Sequence, residues 1–284
     1  MGEHYIIICN PLAGKGSAQK SLTKFEQFLT GKGLSYETFS KNYPKDLQKF
    51  TCMVIMGGDG TINYVFNYYK EISIPIAFII GGTGNDYAKL HLRNTTIQEQ
   101  FEIAIQNKST TVDAGTCNGK LFINGVGIGF DGWVVKSNLG KNLFKGKMAY
   151  YTTIVSLLLF YKEKEITITT PEREFSMNAF MLSIAKGKTY GGGFMVAPLA
   201  SPGDGKFDLI TIAKIGLFKR FLYLPVIEKG KHLGLPIVQF QKTEHIKITS
   251  QHALQAHLDG EYMESKTFDL RLLKGHFKIK SKVY

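Results

Sequence analysis

Val54-Ile55-Met56-Gly57-Gly58-Asp59-Gly60-Thr61-Ile62-Asn63 decides how this chain is read. The apolar run that enters it has the character of a buried strand. Three glycines and an aspartate then turn the chain, and Thr61 is placed to cap a helix carrying Val65, Phe66 and Tyr69 on one side. Strand, glycine turn and helix start together offer bare backbone N–H groups and the positive end of a helix dipole, which suits phosphate. The stretch therefore reads as a nucleotide-binding turn. The bland alternative is a left-handed turn that needs glycine, with Asp59 as a helix cap.

A second loop shifts the balance towards a ligand. Pro75-Ile76-Ala77-Phe78-Ile79-Ile80 is another continuous apolar strand, and it runs into Gly81-Gly82-Thr83-Gly84-Asn85-Asp86 and a further helix. Two glycine–aspartate loops at strand ends point to a phosphate and Mg²⁺ site. Upstream, Tyr5–Cys9 is a β-branched strand ending at Asn10-Pro11-Leu12-Ala13-Gly14-Lys15-Gly16-Ser17. That loop is no Walker A motif, because Cys9 stands where the first glycine is required. Lys15 can still reach a phosphate as a point charge.

Around these loops the expected elements are a helix over Ser17–Thr30, a strand over Leu34–Phe39, a short helix near Pro44–Phe50 and a helix over Thr96–Gln106. Strands apolar on both faces, alternating with helices, indicate a parallel sheet covered on both sides, with ligands at the carboxyl ends of its strands. Near Thr111 the pattern changes. Val112–Cys117 and Lys120–Asn124 flank Asn118-Gly119, a strong hairpin signal. Glu165–Thr170, Phe175–Ala185, Val196–Ile212, His245–Thr249 and Ala253–Leu258 read as short strands of an antiparallel sandwich or barrel. Helices over Lys147–Tyr161 and Gly216–Lys231 interrupt them, and Phe277–Val283 is a terminal strand. The division this gives is an α/β domain over 1–117, to which 276–284 returns, and a β-sandwich domain over 118–275.

The 284 residues carry 35 Lys and Arg against 23 Asp and Glu, a net charge of +12. That surplus favours anionic partners, whether nucleic acid, phosphorylated ligands or an acidic lipid leaflet. Three cysteines, Cys9, Cys52 and Cys117, lie far apart without metal spacing and read as buried free thiols of a cytoplasmic protein. No basic n-region precedes the first strand, so no signal peptide is read. The longest apolar run, Met148–Phe160, falls short of the roughly 20 residues a membrane span requires.

Taken together, several pieces resemble the diacylglycerol kinase catalytic-domain family, specifically bacterial soluble lipid kinases. They are Asn10-Pro11 with Gly14-Lys15, Gly57–Thr61 with Asn63, Gly82–Asp86 with Tyr87-Ala88-Lys89, Val112-Asp113, and Phe122-Ile123-Asn124 with Gly127–Asp131. Gly191-Gly192-Gly193-Phe194, Ala197-Pro198-Leu199-Ala200 with Asp204-Gly205, and Asp259-Gly260-Glu261 complete the series.

The resemblance implies ATP-dependent phosphorylation of a membrane-lipid hydroxyl, diacylglycerol to phosphatidic acid first among the candidates, in a cleft between the two domains. By resemblance, Asn10, Pro11, Leu12, Ala13, Gly14, Lys15, Gly57, Gly58, Asp59, Gly60, Thr61, Asn63 and Thr83 contact ATP, with Ser40 from a poorly matched motif. Asp86 and Asp113 support a water and metal network. Glu261 matches the general base, with Asp259 beside it, although on its own Asp259-Gly260 is a turn pair. Ser201, Asp204 and Lys206 match a second Mg²⁺ site, Ser201 and Lys206 through carbonyls. Many members have two acidic residues there, and this chain has Gly203-Asp204.

Two segments could meet a membrane: Lys214–Leu235, with Lys219, Arg220, Lys229 and Lys231 among apolar residues, and a loop with Lys141, Leu143, Phe144, Lys145 and Lys147. For the first, the preferred reading is a helix packed on the sandwich with its lysines in solvent. The partners expected are a lipid substrate and anionic phospholipid at the inner membrane face, with no nucleic acid, and a homodimer is left open. Two rivals stand: an NAD kinase, which shares a Gly-Gly-Asp-Gly turn, and a non-catalytic basic nucleotide- or nucleic-acid-binding protein. Diacylglycerol, phosphatidylglycerol, a sphingoid base and an undecaprenyl-type alcohol all remain as acceptors.

Overall fold

The structure, a computed structural model, describes residues 2–139 and 147–282. The basic–apolar loop with Lys141, Leu143, Phe144 and Lys145 lies outside the described residues, as does the side chain of Lys147. The chain divides into two compact units, Met1–Ala114 with Lys274–Tyr284, and Gly115–Leu273.

In the first unit β1 (His4–Cys9), β2 (Ser35–Phe39), β3 (Cys52–Gly57) and β4 (Ile76–Ile80) form a parallel sheet in the order β2-β1-β3-β4. Ile7 registers with Val54, and Val54 with Ala77. Tyr5, Ile7 and Cys9 pack with Phe25 and Leu29 of α1 (Ser17–Gly31) and with Phe101 and Ala104 of α4 (Ile97–Ile105). On the other face, Phe78 meets Tyr87 of α3 (Asp86–Leu92), and Phe66 of α2 (Asp59–Tyr69) meets both Tyr87 and Phe277. Helices on both faces require strands that are apolar throughout, which these are. Thr96 starts α4 with a capping box, accepting from Glu99 N–H while the Glu99 carboxylate accepts from Thr96.

Returning chain closes this unit. Ile279 pairs with Ile76, and the buried Lys280 Nζ donates to Ala104 O at 2.8 Å, capping the end of α4. Asp113 accepts from Gly275 N–H at 2.9 Å. The helix expected near Pro44–Phe50 does not form. Asp46 Oδ1 instead takes Gln48 N–H in a local turn, the competition by which aspartate disfavours helix.

The second unit is antiparallel. β5 (Thr110–Cys117) continues into it and turns at Asn118-Gly119, both at positive φ, into β6 (Lys120–Phe122). β7 (Gly125–Gly129), β8 (Lys164–Thr169), β9 (Glu174–Ala185), β10 (Phe207–Ala213), β11 (Val238–Thr243), β12 (His245–Leu258) and the start of β13 (Glu261–Ile279) follow. Two long strands organise it. β9 pairs with β7 through Met181–Ala185 and with β8 through Glu174–Ala179. β12 likewise pairs with β7 through Ala256–Leu258 and with β8 through Lys247–Thr249, its register shifting between Thr249 and Leu254. The bend curls the strands around a core of Ile128, Ile168, Ile184, Ile248 and Phe268.

Against the sheet lie α5 (Phe130–Ser137), α6 (Lys147–Phe160) and α7 (Leu217–Glu228), which share a second apolar cluster. Arg220 of α7 is buried, pairs with Glu163 at 2.7 Å and donates to Leu158 O and Tyr161 O at the end of α6.

Several expectations are corrected here. α5 was not foreseen, because Gly127–Asp131 entered the reading only as a piece of the family resemblance. Residues 196–206 form no strand, so the expected Val196–Ile212 strand is confined to Phe207–Ala213. The last strand begins at Glu261 and not at Phe277. Among the described residues no helix is long and apolar enough to cross a membrane. All three cysteines are buried free thiols, and burial pushes Cys9 and Cys52 up to about 11 and Cys117 to about 12.

Candidate nucleotide and acceptor sites

The three glycine loops meet in the first unit, at the carboxyl ends of β1, β3 and β4. Gly81 N–H donates to Gly57 O at 3.0 Å, Ser17 Oγ donates to Gly81 O at 3.1 Å, and Asn10 Nδ2 reaches Thr61 Oγ1 at 3.3 Å. Glycine serves close approach here. Gly57, Gly58, Gly81 and Gly82 all lack positive φ, but a Cβ on Gly82 would stand 2.4 Å from Gly58 Cα. Gly14 needs both freedoms, with φ +58° and a hypothetical Cβ 2.2 Å from Gly81 O. The left-handed reading of Gly57–Gly60 is thereby corrected.

Asn85 clamps this junction, accepting from Gly82 N–H at 2.9 Å and donating to Gly82 O at 2.7 Å. No role was assigned to it from sequence. α2 starts at Asp59 with Gly58 as its N-cap, so Thr61 lies in the first turn and caps nothing. Asp59 Oδ1 accepts Tyr87 N–H at 3.2 Å, so this carboxylate caps the neighbouring helix α3. Asp86 is buried in the first turn of α3, and Asn63 is buried within α2. Pro11, Leu12, Ala13, Lys15 and Gly60 line the same loops, Lys15 exposed at φ 56°. Thr83 is exposed beside Gly82, and Ser40 is exposed past the carboxyl end of β2. The result is an edge rich in close-packed backbone, with the starts of α2 and α3, the carboxylates of Asp59 and Asp86, and the exposed lysines Lys15 and Lys89, the latter donating to Gly84 O at 2.7 Å.

In the second unit, Asp259-Gly260 is the two-residue turn between β12 and β13, with φ 48° and 92°. The Asp259 carboxylate accepts from Ile123, Asn124 and Gly125 N–H, each at 2.9 Å. Those bonds make it an anchor between the turn and the start of β7. Glu261, two positions on, is exposed. His257 Nδ1 accepts Gly260 N–H at 3.2 Å, and its Nε2 faces Asp131 Oδ2 at 3.0 Å. With Nδ1 accepting, the proton sits on Nε2 and is donated to Asp131. Sequence reading missed His257, which no local spacing marks.

Asp131 also lines an apolar cavity of about 50 Å³ within the cluster shared by α5, α6 and α7. Phe130, Leu158, Phe180, Phe194 and Leu224 are among its walls, with Tyr190 and Arg220 its other polar neighbours. Tyr190 hydroxyl hydrogen-bonds Ser183 Oγ at 2.6 Å.

The expected second metal site does not fit a divalent ion. Asp204 and the Lys206 carbonyl do converge, but on the ammonium of Lys186, 2.7 Å from Asp204 Oδ1 and 2.7 Å from Lys206 O. Lys242 Nζ binds Asp204 Oδ2 and approaches Asp208 Oδ1 at 3.4 Å. Burial works against the charge on Asp204, yet the hydrogen bonds from Lys186 and Lys242 overrule it and hold the carboxyl below its usual range. Burial raises Asp208 in spite of Lys242. Ser201 is half-buried in the same loop. Among the described residues, no group of three His, Cys, Asp or Glu side chains is placed to hold a metal.

Comparisons with known proteins cover both parts of the chain. Residues 4–117 match the diacylglycerol kinase catalytic domain, and residues 124–279 match the YegS C-terminal NAD kinase beta sandwich-like domain. The chain belongs to the diacylglycerol kinase catalytic-domain family. Such a protein is a lipid kinase of the diacylglycerol kinase-like class, and ATP is its phosphate donor. The chain is 27% identical over 274 residues to the diacylglycerol kinase of Bacillus subtilis, covering 90% of this chain and 89% of that one. It is 27% identical to the diacylglycerol kinase of Staphylococcus saprophyticus over 96% of this chain and 93% of that one. A crystal structure of a diacylglycerol kinase from Bacillus anthracis superposes with a TM-score of 0.75 at 22% identity, covering 99% of this chain and 97% of the other.

Proposed function

We propose that this protein transfers the γ-phosphoryl group of ATP to the hydroxyl of diacylglycerol, giving phosphatidic acid. The observation that carries the lipid part is the apolar cavity in the second unit, whose one carboxylate, Asp131, connects through His257 to the hairpin bearing Glu261. A soluble dinucleotide acceptor has no use for a cavity walled by Phe, Leu and Ile. The relatives named above are diacylglycerol kinases, which favours that acceptor over the other lipid alcohols.

ATP would lie on the loops of Asn10–Lys15, Gly57–Thr61 and Gly82–Asp86. There the starts of α2 and α3 and the Lys15 ammonium face the phosphates, and Ser40 and Thr83 stand at the rim. Mg²⁺ arriving with ATP would neutralise phosphate charge, with Asp59 and Asp86 as the carboxylates able to hold it. Glu261 accepts the proton of the lipid hydroxyl while that oxygen bonds to the γ-phosphorus. The bond from the γ-phosphorus to the bridging oxygen breaks, and ADP leaves. Asp259 holds the hairpin that presents Glu261.

The cavity as it stands admits only a fragment of an acyl chain, so a lipid enters by parting α6 or α7. Those helices expose Leu159, Phe160, Phe218 and Leu222. With Lys214 and Lys219 also exposed, this face suits an anionic bilayer. Arg220 takes no part in it, being buried against Glu163. The working location is then the inner membrane surface, held peripherally.

Following ATP consumption with diacylglycerol in mixed micelles and with NAD separates the leading rivals. Turnover with diacylglycerol is expected, and turnover with NAD alone would overturn the reading.

A further inference from the structure

We propose that in this protein the Lys186 ammonium replaces a divalent cation, so that the Ser201–Lys206 loop is fastened by an internal ion pair and needs no metal. The inference goes beyond the kinase reading and does not rest on which acceptor is used. Lysine is among the residues least often fully buried, because its charge must leave water, yet Lys186 is 0% exposed. Something must compensate that charge. Its Nζ donates to a carboxylate oxygen of Asp204 and a backbone carbonyl of Lys206, both at 2.7 Å. These are the hard oxygen donors that Mg²⁺ or Ca²⁺ would recruit. The spacing is that of N–H···O bonds, whereas Mg²⁺ would draw oxygens in to about 2.0–2.1 Å and Ca²⁺ to about 2.3–2.6 Å.

Charge leads to the same conclusion. Asp204 and Asp208 face Lys186 and Lys242, and the four side chains balance. A divalent ion added there would bring two uncompensated charges against two ammoniums. The clamp is also wired to the acceptor side of the chemistry. Lys186 N–H donates to Asn124 O at 2.9 Å, and Asn124 N–H donates to Asp259 Oδ1 at 2.9 Å. One lysine thus ties the Ser201–Lys206 loop to the anchor of the hairpin that carries Glu261.

The test uses the full chain without nucleotide, so that metal bound with ATP does not enter. Mn²⁺ is titrated in and followed by its electron paramagnetic resonance signal, and thermal unfolding is recorded with Mg²⁺, with Ca²⁺ and with EDTA. The proposal expects the free Mn²⁺ signal to be undiminished by wild-type protein and the unfolding midpoint to be the same in all three media. Lys186→Ala is expected to unfold at lower temperature and to regain part of the loss with Mg²⁺ or Ca²⁺, an effect absent from Lys186→Ala combined with Asp204→Asn. Stoichiometric Mn²⁺ binding by wild type that disappears in Asp204→Asn would overturn the proposal. So would a Lys186→Ala protein as stable as wild type. Should Lys186→Ala fail to fold, the wild-type titration still decides.

Discussion

Asp259 accepts three backbone N–H groups while Glu261, two positions on, is exposed, so these carboxylates answer differently to substitution. Glu261→Gln should lower kcat by about 10²–10⁴, the usual worth of a positioned base, with the unfolding midpoint unchanged. Asp259→Asn should instead lose about 1.5–3 kcal/mol of stability, because hydrogen bonds to a charged acceptor are lost. Denaturant titration and steady-state rates on both variants check this, and the reverse pattern would exchange the two roles. His91 makes a separate prediction. Burial lowers its pKa to about 4, from an unfolded value of about 6.5. The neutral form's contribution is therefore complete above about pH 6.5 and is lost as pH falls towards about 4, on the order of 3 kcal/mol in all. Unfolding free energies measured across that range should fall more steeply for wild type than for His91→Leu, and parallel curves would contradict the assignment.

Element geometry explains what could be read in advance and what could not. Ile6–Ile8, Met53–Met56 and Ile76–Ile80 are apolar at every position, so a sheet covered on both faces follows from composition alone. The Asn118-Gly119 hairpin was equally legible, since only such residues accept positive φ twice in succession. β13 was not, because Glu261–Lys274 scatters charged residues over both sides of a half-exposed strand and looks like loop. Lys186 was unreadable for another reason. Its partner Asp204 is 18 positions away, and nothing in Ala185-Lys186-Gly187-Lys188 marks a buried charge. At the loops, glycine was legible but its reason was not: the cause is contact with another loop and not backbone conformation. Gly82→Ala must push Gly58 aside, so it should cost about 1–3 kcal/mol of stability, the usual penalty of overpacking, and weaken ATP binding. Calorimetric titration with ATP and denaturant unfolding check both, and an unaltered ATP affinity would separate this junction from the nucleotide site.

At the scale of the whole molecule, a unit of parallel sheet and a unit of curled antiparallel strands share one chain. The final strand, β13, starts in the second and ends in the first. A net charge of +12 and the exposed apolar residues of α6 and α7 predict a rate that rises on vesicles containing anionic lipid and is eroded by salt. A rate indifferent to both would remove the membrane role of that face. Of the candidate chemistry, the glycine loops were legible as motifs and Glu261 only through the family resemblance, whereas the cavity, His257 and the Lys186 clamp arise only from packing across the second unit. The most direct measurement of the central claim is transfer of label from γ-labelled ATP to a panel of lipid alcohols and to NAD. The expected result is labelled phosphatidic acid from diacylglycerol, lost in Glu261→Gln. Label found in NADP, or in no lipid of the panel, would contradict it.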